Sequence, residues 1–239
     1  MSGHSKWSTI KHKKAATDAK KGSVFTRMAN AIVVAVIKGG RVGDPEQNFA
    51  LRLAIEKARS VNMPKDNIER AIEKGMGTGK GEVVEEIILE GYGPDGVAIV
   101  ISAVTDNHNR TVSEIKNILE KGGGNLGEPG SVMYLFDKRG EILIEGKVEE
   151  ALTLELIEMG ALDIEKTPEG LFVVYTEPAD LTLIAQKTER DPGVLSVEAN
   201  LIYKEKMRVE VKNPEMVTKL LDILSEHNDV QEVYSNGNW

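Results

Sequence analysis

The sequence predicts an α+β protein of three domains: an N-terminal helical bundle and two α/β domains of ferredoxin-like character, one inserted in the other. Three observations lead there. Apolar residues recur with a helical period as far as Gly75 and then change to extended runs. From Glu141 the elements read strand, helix, strand, strand, helix, strand, the βαββαβ order of a ferredoxin-like unit. The strand, helix and strand that follow match in content the two strands and helix that precede it, so a discontinuous domain is expected around the insertion. The expected boundaries are 1–80 for the basic helical domain, 81–130 with 205–239 for the middle domain, and 131–204 for the insert. A length of 239 residues suits this division, since one domain usually takes roughly 100–200 residues.

Residues 2–22 read as an irregular arm leading into a short basic helix. A helix then runs from Ser23, a good N-cap, to Lys38, where Gly39 and Gly40 stop it. The next is expected to open at Asp44, with Pro45 at the first helical position and Gln47 completing a capping box, and to bury Leu51, Ala54, Ile55 and Ala58. A fourth starts near Pro64, buries Ile68, Ala71 and Ile72, and ends at Gly75. After a glycine-rich linker, strands are expected at Glu85–Leu89 and Val97–Thr105, joined by the turn Gly93-Pro94-Asp95-Gly96. A helix at Thr111–Lys121 ends in the loop Gly122–Gly130, and Val132–Phe136 begins a new extended stretch. The insert places strands at Ile142–Ile144, Leu162–Glu165, Leu171–Tyr175 and Val194–Ile202, with helices at Val148–Met159 and Ala179–Arg190. The tail adds strand Met207–Val211, helix Pro214–His227 and strand Val230–Tyr234.

Composition narrows the function. There is no cysteine, which excludes disulfides, thiolate metal sites and a cysteine nucleophile and makes a reducing, cytoplasmic setting the expectation. The longest apolar run, Met28–Ile37, is far short of the ~20 residues of a membrane span. No apolar stretch follows the basic start, so the amino terminus reads as mature protein. The overall charge of −8 hides a division. Residues 1–80 hold 16 Lys or Arg against 7 Asp or Glu, a net +9, whereas residues 81–239 hold 14 against 31, a net −17. One polyanion-binding end on an acidic body is implied. The expected partner is nucleic acid, either ribosomal RNA or promoter DNA, with the ribosome as its setting in the first case, and neither a membrane nor a small-molecule substrate.

The candidate contacts are Lys6, Lys11, Lys13, Lys14, Lys20 and Lys21 around the single Trp7 of the arm. Lysines bind phosphates by releasing counterions, and an indole stacks on an unpaired base. The alternative is a solvated tail with Trp7 docked on the bundle. Arg52 and Arg59 share one helix face and Arg70 and Lys74 another, either extending that basic patch or pairing with the interspersed Glu56, Glu69 and Glu73. The loop Asp106-Asn107-His108-Asn109-Arg110 lies between a strand and a helix, where free N–H groups favour anions. It is a possible recognition loop, or else turn chemistry capping the helix at Asn109 or Arg110. Gly122–Gly130 lacks the Gly-Lys-Ser/Thr ending of a nucleotide loop and reads as a helix stop with a turn. The acidic residues of the body, among them Glu85, Glu86 and Glu90, read as solvated surface. Four scattered histidines form no triad and no ligand set, so no catalytic residue, metal or cofactor is expected.

The stretches "GHSKWSTIKHKK", "FTRMANAIVVAVIKGG", "NMPKDNIERAIEKG", "EGYGPDGVAIVI", "TDNHNRT" and "GGGNLGEPGSVMYLF" together resemble the YebC/PmpR family, whose relatives include the mitochondrial translational activator of cytochrome c oxidase subunit I. The resemblance spans nearly the whole chain. It implies three domains, with the third inserted in the second, and a non-enzymatic regulator of transcription or a ribosome-associated factor that eases translation through proline runs. The chain departs from the pattern at Met28-Ala29-Asn30-Ala31, where a charged pair is expected.

Overall fold

The computed structural model describes residues 18–78 and 84–239. The chain divides into two compact units, Met1–Phe136 with Glu205–Trp239, and Asp137–Lys204.

The first unit opens with three helices, α1 (Asp18–Lys38), α2 (Phe49–Ser60) and α3 (Lys65–Met76). Ser23 is not an N-cap, because the basic stretch before it and the apolar helix after it form one continuous α1. Both α2 and α3 pack on α1, around a core of Ile32, Val33, Val36, Leu51, Ile55, Ala58, Ile68 and Ala71. The capping box at Asp44 is likewise corrected. Asp44 builds a turn instead, accepting from the Glu46 N–H and the Gln47 amide, and α2 starts only at Phe49. Its cap is Asn48, whose side-chain oxygen accepts from the Leu51 N–H while its amide donates to the carbonyls of Ala35 and Val42. Gly75 lies inside α3 rather than at its end, and Gly77, left-handed at φ 76°, is the cap. A Cβ at Gly75 would fall 2.7 Å from that of Val36, so glycine is what lets α3 approach α1 closely.

Strands β1 (Glu85–Tyr92) and β2 (Ala98–Thr105), helix α4 (His108–Lys121) and the short strand β3 (Asn125–Leu126) follow. They are completed by α7 (Pro214–Glu226) and β9 (Val230–Ser235), after the insert and its flanking strand β8 (Val209–Glu210). The sheet order is β3-β1-β2-β9, with β1–β2, β1–β3 and β2–β9 antiparallel. Ile87, Ile99 and Ile101 bury one face of it against Ile115 and Leu119 of α4 and Val217, Leu220 and Leu224 of α7. The alternate residue Val104 points to the other face and joins the helical core. Lys38 pairs there with Glu86 at 2.7 Å, and Arg27 donates to the Ser225 carbonyl oxygen.

The expected tail strand Met207–Val211 shrinks to β8, which pairs in parallel with β10 (Gly237–Asn238) and not with the main sheet. The fourth strand of that sheet is β3, inside the glycine-rich loop. At Gly124 a Cβ would meet the Tyr92 carbonyl oxygen at 2.2 Å, so only glycine fits this crossing. The stretch expected as strand Val132–Phe136 instead holds a 3₁₀ turn at Met133–Leu135.

The second unit contains most of β4 (Phe136–Gly146), then α5 (Glu150–Glu158), β5 (Ala161–Lys166), β6 (Phe172–Thr176), α6 (Leu181–Glu189) and most of β7 (Val194–Glu205). Its sheet order, β5-β6-β4-β7, is the ferredoxin-like arrangement. Ile142, Ile144, Leu152, Leu156, Val174, Ile184 and Ala185 are among its buried apolar residues.

Candidate nucleic-acid interface

Arm residues Lys6, Trp7, Lys11, Lys13 and Lys14 lie outside the described residues; Lys20 and Lys21 fall within α1, with their side chains outside that set. Of the four cations proposed to extend the patch, Arg70 and Lys74 come together. They sit one turn apart on α3 and line a cavity of about 340 Å³ between α3 and α1. Among the described residues neither has an ion-pair partner, whereas Lys65 on the same helix pairs with Glu69. Arg52 is engaged locally, its guanidinium 5.0 Å from the centre of the Phe49 ring. Arg59 is exposed on α2 and does not line the cavity.

The loop at 106–110 is bound into its own framework. Asn107, and not Asn109 or Arg110, caps α4 by accepting from the Arg110 N–H at 3.1 Å. The Arg110 guanidinium donates to Asp106 at 3.1 Å and to Asp229 at 3.2 Å. The hydrogen bond to Asp229 and that residue's charge push the guanidinium further up from its ordinary range. Asp229 also accepts from the buried Thr111 hydroxyl at 2.6 Å. His108 and Asn109 are exposed. Because Arg110 already faces two carboxylates, Arg110→Gln is expected to change nucleic-acid affinity by about twofold at most, as a cation without a phosphate contact should. Filter binding against the wild type measures this, and a tenfold loss would restore the loop as a contact surface.

Beside this loop is a grouping that sequence spacing does not reveal, because 113 residues separate its partners: the His227 imidazole Nε2 lies 2.8 Å from Glu114. Glu114, His227 and Asp229 bring potential ligand atoms within 4.8 Å of one another. Hydrogen bonding accounts for the cluster. The Asp229 N–H donates to His227 Nδ1 at 3.1 Å, so the neutral ring carries its proton on Nε2 and donates it to Glu114. That leaves no ring lone pair for a metal.

The glycine-rich loop is engaged too. Glu90 is buried, and its carboxylate accepts backbone N–H groups from Gly130 at 2.6 Å and from Val132 and Met133 at 2.8 Å each. Burial raises the affinity of this carboxyl for its proton, but the three donors together outweigh it and hold the pKa below the ordinary carboxylate value. The Tyr92 hydroxyl also donates to the Ser131 carbonyl oxygen. Glu90 is therefore not solvated surface, and these N–H groups face a carboxylate of the protein itself.

Two family models cover the chain: the TACO1/YebC protein N-terminal domain matches residues 5–78, and the TACO1/YebC second and third domain matches residues 84–237. The chain belongs to the TACO1/YebC family. Relatives named as probable transcriptional regulatory proteins are similar over full length. One from Desulfitobacterium hafniense is 45% identical, over 99% of this chain and 95% of its own. Another, from Dehalococcoides mccartyi, is 46% identical, over 100% and 95% respectively. The crystal structure of a conserved hypothetical protein from Aquifex aeolicus superposes with a TM-score of 0.83 at 42% identity, covering 96% of this chain and 95% of that one. The TACO1/YebC assignment thus rests on sequence and fold together. Among the described residues no helix is long and apolar enough to cross a membrane.

Proposed function

We propose that this chain is a regulator of gene expression that binds nucleic acid through its helical domain. In this reading its target is ribosomal RNA, and it acts in the cytoplasm as a ribosome-associated factor easing elongation through proline runs, with no cofactor and no catalytic step. The observation that carries the reading is the segregation of charge, +9 on residues 1–80 against −17 on the remainder. Basic residues gathered in one stretch suit a polyanion, and the acidic remainder disfavours contact elsewhere. The cations on α3 lie beside a depression between α3 and α1 that is open to solvent. Help at proline is chemically reasonable, since its ring fixes φ and restrains the chain during peptide transfer.

The second reading is a DNA-binding transcriptional regulator, favoured by the names of the relatives. Sedimentation of the native protein with ribosomes, beside retention on DNA from the same extract, separates the two. Comigration with ribosomes and loss of it at high salt are expected. Retention on DNA alone would reverse the order of the readings.

A further inference from the structure

We infer that the cleft between α1 and α3 is a binding site for one unstacked base of a single-stranded nucleic acid, with Arg70 and Lys74 holding the flanking phosphates. The inference rests on the nucleic-acid reading above and names the ligand of that surface.

The cleft has the composition such a ligand requires. Its lining includes Phe25, Ala29, Val33 and Ala71, an apolar bed with one aromatic ring, and bases bind well to such surfaces irrespective of sequence. Asn67 adds an amide with both donor and acceptor, able to meet the polar edge of a base. Its volume of about 340 Å³ falls within the roughly 300–1,000 Å³ of small-ligand sites.

Arg70 and Lys74 share the same helix face at i, i+4 spacing and, among the described residues, form no ion pair. Two unpaired cations beside an apolar bed fit a base with its phosphates better than they fit an apolar helix, which would leave both charges against hydrocarbon. Ala29 and Asn30, both lining the cleft, are short side chains. A paired base in a duplex cannot enter, so the site selects unpaired bases, as in RNA loops and bulges.

The test uses full-length protein and three fluorescent probes read by anisotropy: a short single-stranded RNA, an abasic strand of equal length and charge, and an RNA duplex. Wild-type protein is expected to prefer the base-bearing strand over the abasic one by about tenfold or more. Ala29→Phe, which fills the cleft, should abolish that preference while leaving affinity for the abasic strand and duplex unchanged. Asn67→Leu is the companion variant on the half-buried face of α3 and should reduce the same preference if Ala29→Phe lowers the thermal midpoint. The double variant Arg70→Gln, Lys74→Gln should weaken all three probes and flatten the dependence of log K on log salt by roughly 1.5 units.

A wild-type preference near unity overturns the proposal, as does a preference that survives both cleft variants. A gain in single-strand affinity on Trp7→Ala would make the arm's indole the occupant and overturn it equally. Failure of the wild type to bind any probe would sink the nucleic-acid reading itself.

Discussion

Glu90→Gln is expected to lower the free energy of unfolding of the first unit by about 3 kcal/mol, since hydrogen bonds to a charged group contribute roughly 1.5–3 kcal/mol each. Glutamine has almost the same shape but only one acceptor oxygen. Its amide must face either the Gly130 N–H or those of Val132 and Met133, leaving a donor against a donor in a buried setting. The loop that closes over β1 should then open locally, and amide hydrogen exchange at Gly130, Val132 and Met133 should accelerate. The pH dependence has a definite sign. The folded pKa of Glu90 is depressed from 4.5, so its contribution is fully present above that value and is lost as pH falls through the lower folded pKa. Wild-type stability should therefore fall more steeply than that of the variant below about pH 4.5. An unchanged denaturant midpoint, with unchanged exchange at the three amides, would show that the loop is held by Tyr92 and β3 alone.

Glu90 also shows why part of the molecule was not legible in the sequence. A glutamate in an acidic strand reads as solvated, and nothing local announces that three N–H groups about forty residues away converge on it. The ferredoxin-like order was legible because its signal is local: period-two apolar runs alternate with period-3.6 runs, and each strand is bounded by turn residues. Helix starts were not, where tertiary contacts chose between candidates. Asp44 and Asn48 both suit an N-cap, and Asn48 prevails because its amide also satisfies two carbonyls at the end of α1 and beyond it. Strand length failed at Met207–Val211 for a similar reason, since its partner is the two-residue β10 and not the main sheet. In the candidate site, the pairing of Arg70 with Lys74 followed from helical spacing. The cleft beneath them depends on how α3 crosses α1 at Gly75, which no spacing encodes.

The electrostatic basis of the proposed function predicts an effect of similar size from the arm. Replacing Lys6, Lys11, Lys13 and Lys14 together by Gln is expected to flatten the slope of log K against log salt by roughly three units. At moderate salt the affinity should fall on the order of a hundredfold, because each lost phosphate contact also loses its released counterion. The loss should be alike for all sequences, since phosphate contacts position a protein without reading bases. In the reading of this stretch as a solvated arm the lysines contribute little to folding, so the thermal midpoint is expected to stay nearly constant while affinity collapses. Trp7→Ala in the wild-type background then divides two roles for the indole. A loss confined to single-stranded probes indicates stacking on an unpaired base, whereas a lowered thermal midpoint indicates docking on the bundle. The salt slope of the quadruple variant decides the matter for the arm. If it is unaltered, the phosphates are held elsewhere, and the cations left to hold them on this domain are led by Arg70 and Lys74 at the α1–α3 cleft.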